Sequence, residues 1–377
     1  MIDSWFAIVS AILLCTYALQ VFVFCLGLIR GQEAKKTAHD FEPQITIIVP
    51  ARNEEANLPD LITSLKNLDY PREKTEIIIV DDSSSDNTHI VATEMTAADV
   101  RFRIITPSKR DPQLNGKANA IDFAIQQTAG EIIFITDADC RVPETWIRAH
   151  LCYYQVGIGM VGGLVLLTEK KRKYSLFAHL QSLDWLYLCA VGSGGAGVGM
   201  PLSIFGNNFS FRKQAYHQVG GFRGAGFSVI EDFALMRAFQ LKTRWQIALP
   251  ADPNLAIQTR PAHSSSQFYL QRKRWVLGGK NVSIAGLFVL TLGFFGRALP
   301  IISLMFSDVT MALFSFGWIA LSDLLLAGFA AKKIQRLGQM RSAPLYSIFS
   351  LGYTLLFAPI FFLSKSVRWK DRVYRVK

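Results

Sequence analysis

Residues 131–139 read Glu131-Ile132-Ile133-Phe134-Ile135-Thr136-Asp137-Ala138-Asp139, an apolar run that stops in two carboxylates. A short apolar run bounded by a turn signal reads as a strand buried on both faces, as in a parallel sheet. Two carboxylates one residue apart repel each other unless a cation or hydrogen-bond donors neutralise them. A hard divalent ion, held by one or two carboxylates plus phosphate oxygens, fits that need. An Asp-x-Asp pair is common in itself. Its place at a strand end gives it weight, because ligands of open α/β sheets bind outside the carboxyl ends of the strands.

The same grammar recurs upstream. Ile45–Val49 ends in Pro50, and Ile77–Val80 ends in Asp81-Asp82. Between them Leu58, Leu61, Ile62, Leu65 and Leu68 follow helical spacing. Asp86 is placed to cap a helix running to about Met95, and Gly116–Thr128 reads as a helix with Gly130 as its stop. This alternation predicts βα units and a doubly wound, mostly parallel sheet over residues 41–280. Turn chemistry alone accounts for Ser83-Ser84-Ser85-Asp86. Leu186–Gly206 is apolar, but Gly192, Gly194, Gly195, Gly197, Gly199 and Pro201 predict a loop beside the site or at a bilayer surface rather than a spanning helix.

The chain has 377 residues, half of them apolar and only 18% charged; ordinary soluble domains carry about 25% charge. Mean hydropathy is +0.25. A single soluble globule and a disordered chain are both excluded by that balance. The apolar excess sits at the two ends. Trp5–Ile29 is 25 residues without a charge, roughly 38 Å as a helix against a hydrocarbon core of roughly 30 Å. A cleaved signal peptide would start with positive charge and be shorter. This chain starts Met1-Ile2-Asp3 and Arg30 follows the stretch, so residues 1–32 are expected to be a retained anchor. Arg30, Lys35 and Lys36 put the end of that anchor, and the domain after it, in the cytoplasm.

Val282–Phe306, Val309–Ala331 and Leu345–Leu363 are further apolar stretches, giving two to three membrane helices over residues 281–364. The first contains Arg297 and Pro300, so it reads as broken or interfacial; Arg297 reads as a snorkelling charge. Lys332, Lys333, Arg336 and Arg341, and the basic tail 365–377, both read as cytoplasmic. Both cannot hold if Leu345–Leu363 crosses fully: either it is re-entrant or one basic cluster lies outside, and a cytoplasmic domain with a cytoplasmic tail needs an even number of crossings after the domain. The net charge of +11 fits cytoplasmic flanks on anionic lipid, with no nucleic acid as partner. Cys15, Cys25, Cys140, Cys152 and Cys189 show no CxxC spacing, hence no zinc signature and no disulfide framework.

Taken in order, Ile47-Ile48-Val49-Pro50-Ala51-Arg52-Asn53-Glu54-Glu55, Ile79-Val80-Asp81-Asp82-Ser83-Ser84-Ser85-Asp86-Asn87-Thr88, Asn115-Gly116-Lys117-Ala118-Asn119-Ala120, Asp137-Ala138-Asp139, Ile230-Glu231-Asp232 and Gln271-Arg272-Lys273-Arg274-Trp275 resemble the motifs of family 2 glycosyltransferases. The resemblance implies a GT-A catalytic domain. It implies that Pro50, Ala51, Arg52 and Glu54 seat the nucleotide base and ribose. Asp82 then accepts from a uracil N–H, Lys117 lies near the diphosphate, and Asp137 faces the donor's ribose or sugar. Asp139 is expected to hold Mg²⁺ or Mn²⁺. Attack by an acceptor hydroxyl on an anomeric carbon needs a general base; Asp232 is expected in that role, with Glu231 in support. One base without a carboxylate nucleophile implies single displacement with inversion. Gln271, Arg274 and Trp275 match QxxRW: the arginine can bind phosphate bidentately and the tryptophan offers a face to the acceptor. Arg272 and Lys273 read as solvated or headgroup contacts.

QxxRW occurs in processive polysaccharide synthases and in single-transfer, ceramide glucosyltransferase-like enzymes. Too few helices follow the domain to line a polymer channel. The tail Val367-Arg368-Trp369-Lys370-Asp371-Arg372-Val373-Tyr374 resembles the Trp-Lys-Gly-Arg-x-Tyr ending of lipid and carotenoid glycosyltransferases, departing from it at Asp371. The expected activity is transfer of one sugar, from a nucleotide sugar such as a UDP-hexose, to a membrane lipid or isoprenoid hydroxyl at the cell membrane; the alternative is a processive synthase.

Overall fold

The computed structural model describes residues 2–31, 41–168, 175–369 and 372–375. Lys35, Lys36, Lys370, Asp371 and Lys377 lie outside them. In chain order the elements are α1 (Ile2–Arg30), β1 (Ile45–Ala51), α2 (Leu58–Lys66), β2 (Thr75–Asp81), α3 (Thr88–Thr96), β3 (Phe102–Ile105), α4 (Gly116–Ile125), β4 (Ile132–Thr136) and α5 (Trp146–Leu151). There follow β5 (Ile158–Gly162), β6 (Val165–Leu167), α6 (Leu176–Gly197), β7 (Asn208–Arg212), α7 (Lys213–Gln218), α8 (Gly221–Ala225), α9 (Glu231–Lys242), β8 (Gln246–Ala248) and β9 (Ile257–Thr259). The last are α10 (Ser265–Gly278), α11 (Ile284–Phe306), α12 (Val309–Lys333), α13 (Ala343–Leu363), β10 (Ser366–Trp369) and β11 (Arg372–Arg375).

Two compact units emerge, and neither is contiguous. A sheet unit comprises Gln32–Thr168, Ser203–Arg260 and Ser366–Lys377; a helical unit comprises Met1–Gly31, Glu169–Leu202 and Pro261–Lys365. The cut therefore differs from the continuous 41–280 expected from sequence. Residues 169–202 leave the sheet unit, residues 261–280 belong with the helices, and the tail returns to the sheet.

The sheet unit is built on a seven-stranded sheet of order β3-β2-β1-β4-β7-β5-β8. β1, β2, β3 and β4 are mutually parallel, and β5 is parallel to β8; β7 runs antiparallel to both β4 and β5. The doubly wound, mostly parallel expectation is met. The cause is legible in the central strands: Ile47, Ile48, Val49, Ile133, Phe134 and Ile135 are all fully buried, as strands covered on both faces must be. α2 buries Leu58, Leu61, Ile62 and Leu65, the stripe read from sequence. α4 stops at Ile125, three residues before the expected Thr128. Thr128 instead turns its hydroxyl to Glu76 and Thr46.

The helical unit corrects four expectations. Residues 176–197 form one helix, α6, where a glycine-rich loop was expected. The glycines serve close packing rather than flexibility. A Cβ at Gly27 of α1 would sit 1.9 Å from the Gly194 carbonyl oxygen, and one at Gly197 would sit 2.1 Å from that of Gly27. Small residues let two helix backbones approach that closely. α11 is continuous through Pro300, the loss of one backbone bond being tolerable where neighbouring helices surround it.

Arg297 does not snorkel. It is buried, with Nη2 2.6 Å from Asp323 Oδ2 and Nε donating to Ser350 Oγ at 2.8 Å. The Tyr17 hydroxyl also donates to Asp323. Nor is Arg272 solvated: it is buried and ion-paired with Asp184, which accepts as well from the Tyr353 hydroxyl at 2.6 Å. Among the described residues, Ser4–Arg30, Ile284–Phe306, Val309–Lys333 and Leu337–Leu363 are long and apolar enough to cross a membrane.

Removing one partner of a buried pair leaves an uncompensated charge, at a cost of about 3–5 kcal/mol, whereas replacing both by apolar groups is often neutral. We therefore expect Arg297→Leu to lower the thermal midpoint of the detergent-solubilised protein markedly, and Arg297→Leu with Asp323→Leu to recover most of the loss. A double variant no more stable than the single one would show that the pair is not what holds α11 to α12.

Candidate active site

The carboxyl ends of β1, β2 and β4 are neighbours, through the register pairs Ala51–Asp81 and Ile48–Ile135. Arg52, Asp82 and Asp137, which follow those strands, leave the sheet along one edge. β7 runs the other way with Asn208 opposite Thr136, so the backbone around Gly206 reaches that edge too.

The loops after β1 and β2 are tied together. Arg52 Nη1 donates to the Asp82 carbonyl at 2.7 Å. Asn53 N–H donates to Ser84 Oγ at 3.0 Å, and Ser85 N–H to Asn53 Oδ1 at 2.8 Å. These bonds hold Asn53 (φ 54°) and Ser83 (φ 59°) in the left-handed region, sparsely populated by residues other than glycine. Glu54 N–H donates to Thr88 Oγ1 at 2.7 Å, and its carboxylate accepts from Asn57. Pro50 pairs in register with Val80, and Ala51 is buried.

Lys117 is the hub. Asn115 caps α4, its Oδ1 accepting from Ala118 N–H at 2.8 Å, and this sets Lys117 on the first turn. Its buried Nζ lies 2.6 Å from Asp137 Oδ1 and 3.3 Å from Glu231 Oε1, and donates to the Gly206 carbonyl at 3.0 Å. Burial by itself disfavours the ammonium, but Asp137, Glu231 and Asp232 outweigh it and hold the Lys117 pKa above its usual range. The residue is therefore a fixed cation, not a solvated helix-start lysine.

Glu231 and Asp232 open α9 and are both buried. Carboxylates are favoured at a helix start by the backbone dipole. Asn115 Nδ2 fixes Glu231 from the side at 3.3 Å. Asp232 lies against Gly206, where a Cβ would fall 2.5 Å from Asp232 Oδ2. That glycine clears the space the carboxylate occupies.

Asp139 is exposed, one residue beyond the buried Ala138. Among the described residues no three His, Cys, Asp or Glu side chains converge as a metal cage. A site offering one hard oxygen ligand suits Mg²⁺ or Mn²⁺, which take their other positions from substrate phosphate and water. Burial, reinforced by Asp139 and Asp137, pushes the neighbouring Cys140 thiol up, so it stays protonated and brings no soft thiolate ligand.

Two features went unread in the sequence. Gly206, in a stretch expected to be a loop, supplies both a carbonyl for Lys117 and room for Asp232. The Asp82 carboxylate, expected to meet a base, is held by Arg372 of β11, with Nη1 2.5 Å from Oδ2 and Nη2 3.2 Å from Oδ1. The tail's basic character and its likeness to the Trp-Lys-Gly-Arg-x-Tyr ending, in which Arg372 stands at the arginine, marked the residue but not its partner.

Gln271, Arg274 and Trp275 belong to the helical unit, on α10, and are partly buried. The Trp275 ring lies 4.9 Å from that of Trp185 and 4.2 Å from the Arg272 guanidinium. One face thus serves a cation–π contact.

Residues 46–232 match the family described as Glycosyl transferase family 2. A beta-monoglucosyldiacylglycerol synthase of Trichormus variabilis is 27% identical over 263 residues, 68% of this chain and 54% of that protein. A poly-beta-1,6-N-acetyl-D-glucosamine synthase of Staphylococcus epidermidis is 24% identical over 256 residues, 66% of this chain and 57% of that one. The chain thus spans about half the length of these curated relatives. Among solved structures, a mannosyltransferase of Pyrobaculum calidifontis in complex with GDP-Man and Mn²⁺ superposes with a TM-score of 0.56 at 16% identity, covering 95% of this chain and 92% of that one. The shared fold and the matched segment agree: over residues 46–232 this chain carries a glycosyl transferase family 2 domain.

Proposed function

We propose that the chain transfers one sugar, with inversion, from a nucleotide sugar such as a UDP-hexose to a hydroxyl of a membrane lipid or isoprenoid. The observation that carries this reading is the buried carboxylate pair Glu231-Asp232, linked through Lys117 to Asp137 at the strand end. Arg52 and Glu54 order the loops that would seat the base and ribose. Asp137 faces the donor sugar, and Asp139 holds Mg²⁺ or Mn²⁺. When bound, the metal stabilises charge on the leaving diphosphate. Asp232 takes the proton of the acceptor hydroxyl as that oxygen attacks the anomeric carbon. Asn115 and Lys117 hold Glu231 in place beside it. No second carboxylate is needed as nucleophile, so an α-linked donor gives a β-linked product.

The membrane acceptor is supported by the four apolar helices among the described residues and by the monoglucosyldiacylglycerol synthase relative. The polymer synthase relative favours a processive reading instead. Membranes incubated with radiolabelled UDP- and GDP-sugars separate the two: label should enter the lipid extract, and label confined to a water-soluble polymer would establish the second reading.

The same reading places the sheet unit in the cytoplasm, with α1 crossing so that Met1 lies outside. Its support is Arg30 at the end of α1 and the positive-inside rule. Because Arg372 pairs with Asp82 inside the sheet unit, tail and sheet share a side. An even number of crossings must then lie between Pro261 and Lys365. In a background lacking the native cysteines, an external thiol reagent should label Ile2→Cys and spare Asn87→Cys and Val373→Cys. Labelling of both Asn87→Cys and Val373→Cys with Ile2→Cys spared would invert the topology, and labelling of only one of Asn87→Cys and Val373→Cys would break the parity.

A further inference from the structure

The tail hairpin β10–β11, antiparallel with Val367 opposite Tyr374, packs within the sheet unit. Its contacts fall on the edge where the donor is placed. Arg372 forks onto Asp82 with two of its five N–H donors. The Gly116 N–H, first of α4, donates to the Tyr374 hydroxyl at 3.2 Å. A Cβ on Gly116 would fall 1.9 Å from Arg372 Nη1 and 2.7 Å from Asp82 Oδ2. The guanidinium is therefore wedged between the strand-end carboxylate and the helix start. The next residue along that helix, Lys117, bonds Asp137. Phe227 packs near the Tyr374 ring, 6.2 Å between centroids, and steadies the hairpin there.

Charge makes this position informative. A nucleoside diphosphate brings added negative charge to an edge that already holds Asp137, Glu231 and Asp232. Lys117 is committed to Asp137 and Glu231. Beside the metal there is room for a side-chain cation, and arginine is the side chain whose planar fork suits phosphate. The hairpin supplies one at the start of α4.

We propose that Arg372 is a donor-binding residue: the C-terminal hairpin delivers its guanidinium to the diphosphate of the nucleotide sugar, with Asp82 and Tyr374 positioning it. This rests on the nucleotide-sugar reading given above. The expected partner is the diphosphate, not the base.

The full-length protein in detergent with Mn²⁺, titrated with UDP and uridine and with GDP and guanosine, tests this. Arg372→Ala should weaken the diphosphate that binds by about 10–100-fold, as loss of a charged hydrogen-bond partner does, and leave the matching nucleoside unchanged. Arg372→Lys, keeping charge but not the fork, should fall between. With Asp82→Asn as background, Arg372→Ala should still weaken the diphosphate. Three results overturn the proposal: equal or tighter diphosphate binding by Arg372→Ala, equal losses for diphosphate and nucleoside, or no loss in the Asp82→Asn background. If the unmodified protein binds neither UDP nor GDP, the nucleotide-sugar reading itself falls.

Discussion

Asp232→Asn should reduce turnover by about 10²–10⁴-fold, the range expected when a general base is lost. The substitution is nearly isosteric, so the space that Gly206 leaves for this side chain stays filled. It removes only the capacity to take a proton. Donor affinity should change little, because Asp232 faces the acceptor in the proposed reaction. The lost negative charge also acts on Lys117, whose charge Asp137 and Glu231 continue to hold through direct contacts at 2.6 and 3.3 Å. Steady-state kinetics with donor and acceptor varied separately checks this. A variant with near-normal turnover would remove Asp232 from the mechanism and return the role of base to Glu231 or to solvent.

Asp139→Ala should be equally damaging for a different reason. With no cage of three ligating side chains among the described residues, a divalent ion at this edge depends on this exposed carboxylate and on the donor's own phosphates. Loss of a Lewis acid removes several kcal/mol of transition-state stabilisation, about 10³-fold or more in rate. The fold should be untouched, because Asp139 is exposed and its loss opens no cavity in the core. The unmodified protein in excess EDTA should behave like the variant, and Mn²⁺ should restore only the unmodified protein. Full activity in EDTA would exclude the metal.

How far the sequence foretold this site depends on the range over which each signal acts. Ile77–Asp82 and Ile132–Asp139 carried their structure locally: a strand buried on both faces must be apolar throughout, and its polar exit must lie at the sheet edge. Choice of partner was not legible. Asp82 and Arg372 are 290 residues apart in sequence, and Arg272 and Asp184 are 88 apart. Nothing in the run Gln271–Trp275 marks Arg272, rather than Arg274, as the buried arginine. α6 was misread because glycine carries two meanings. In water it loosens a helix, but at a helix–helix contact it permits the close approach of Gly27, Gly194 and Gly197. Arg297 was misread for a related reason: its countercharge, Asp323, comes from the following helix, 26 residues along the chain.

The linkage formed in the product tests the central claim most directly. The detergent-solubilised protein, given an α-linked sugar nucleotide, Mn²⁺ and a lipid extract, should yield a lipid carrying one additional sugar by mass spectrometry. Proton NMR of that lipid should show a β-anomeric linkage. An α-linked product, or a ladder of many sugars on each acceptor, would contradict single inverting transfer by Asp232.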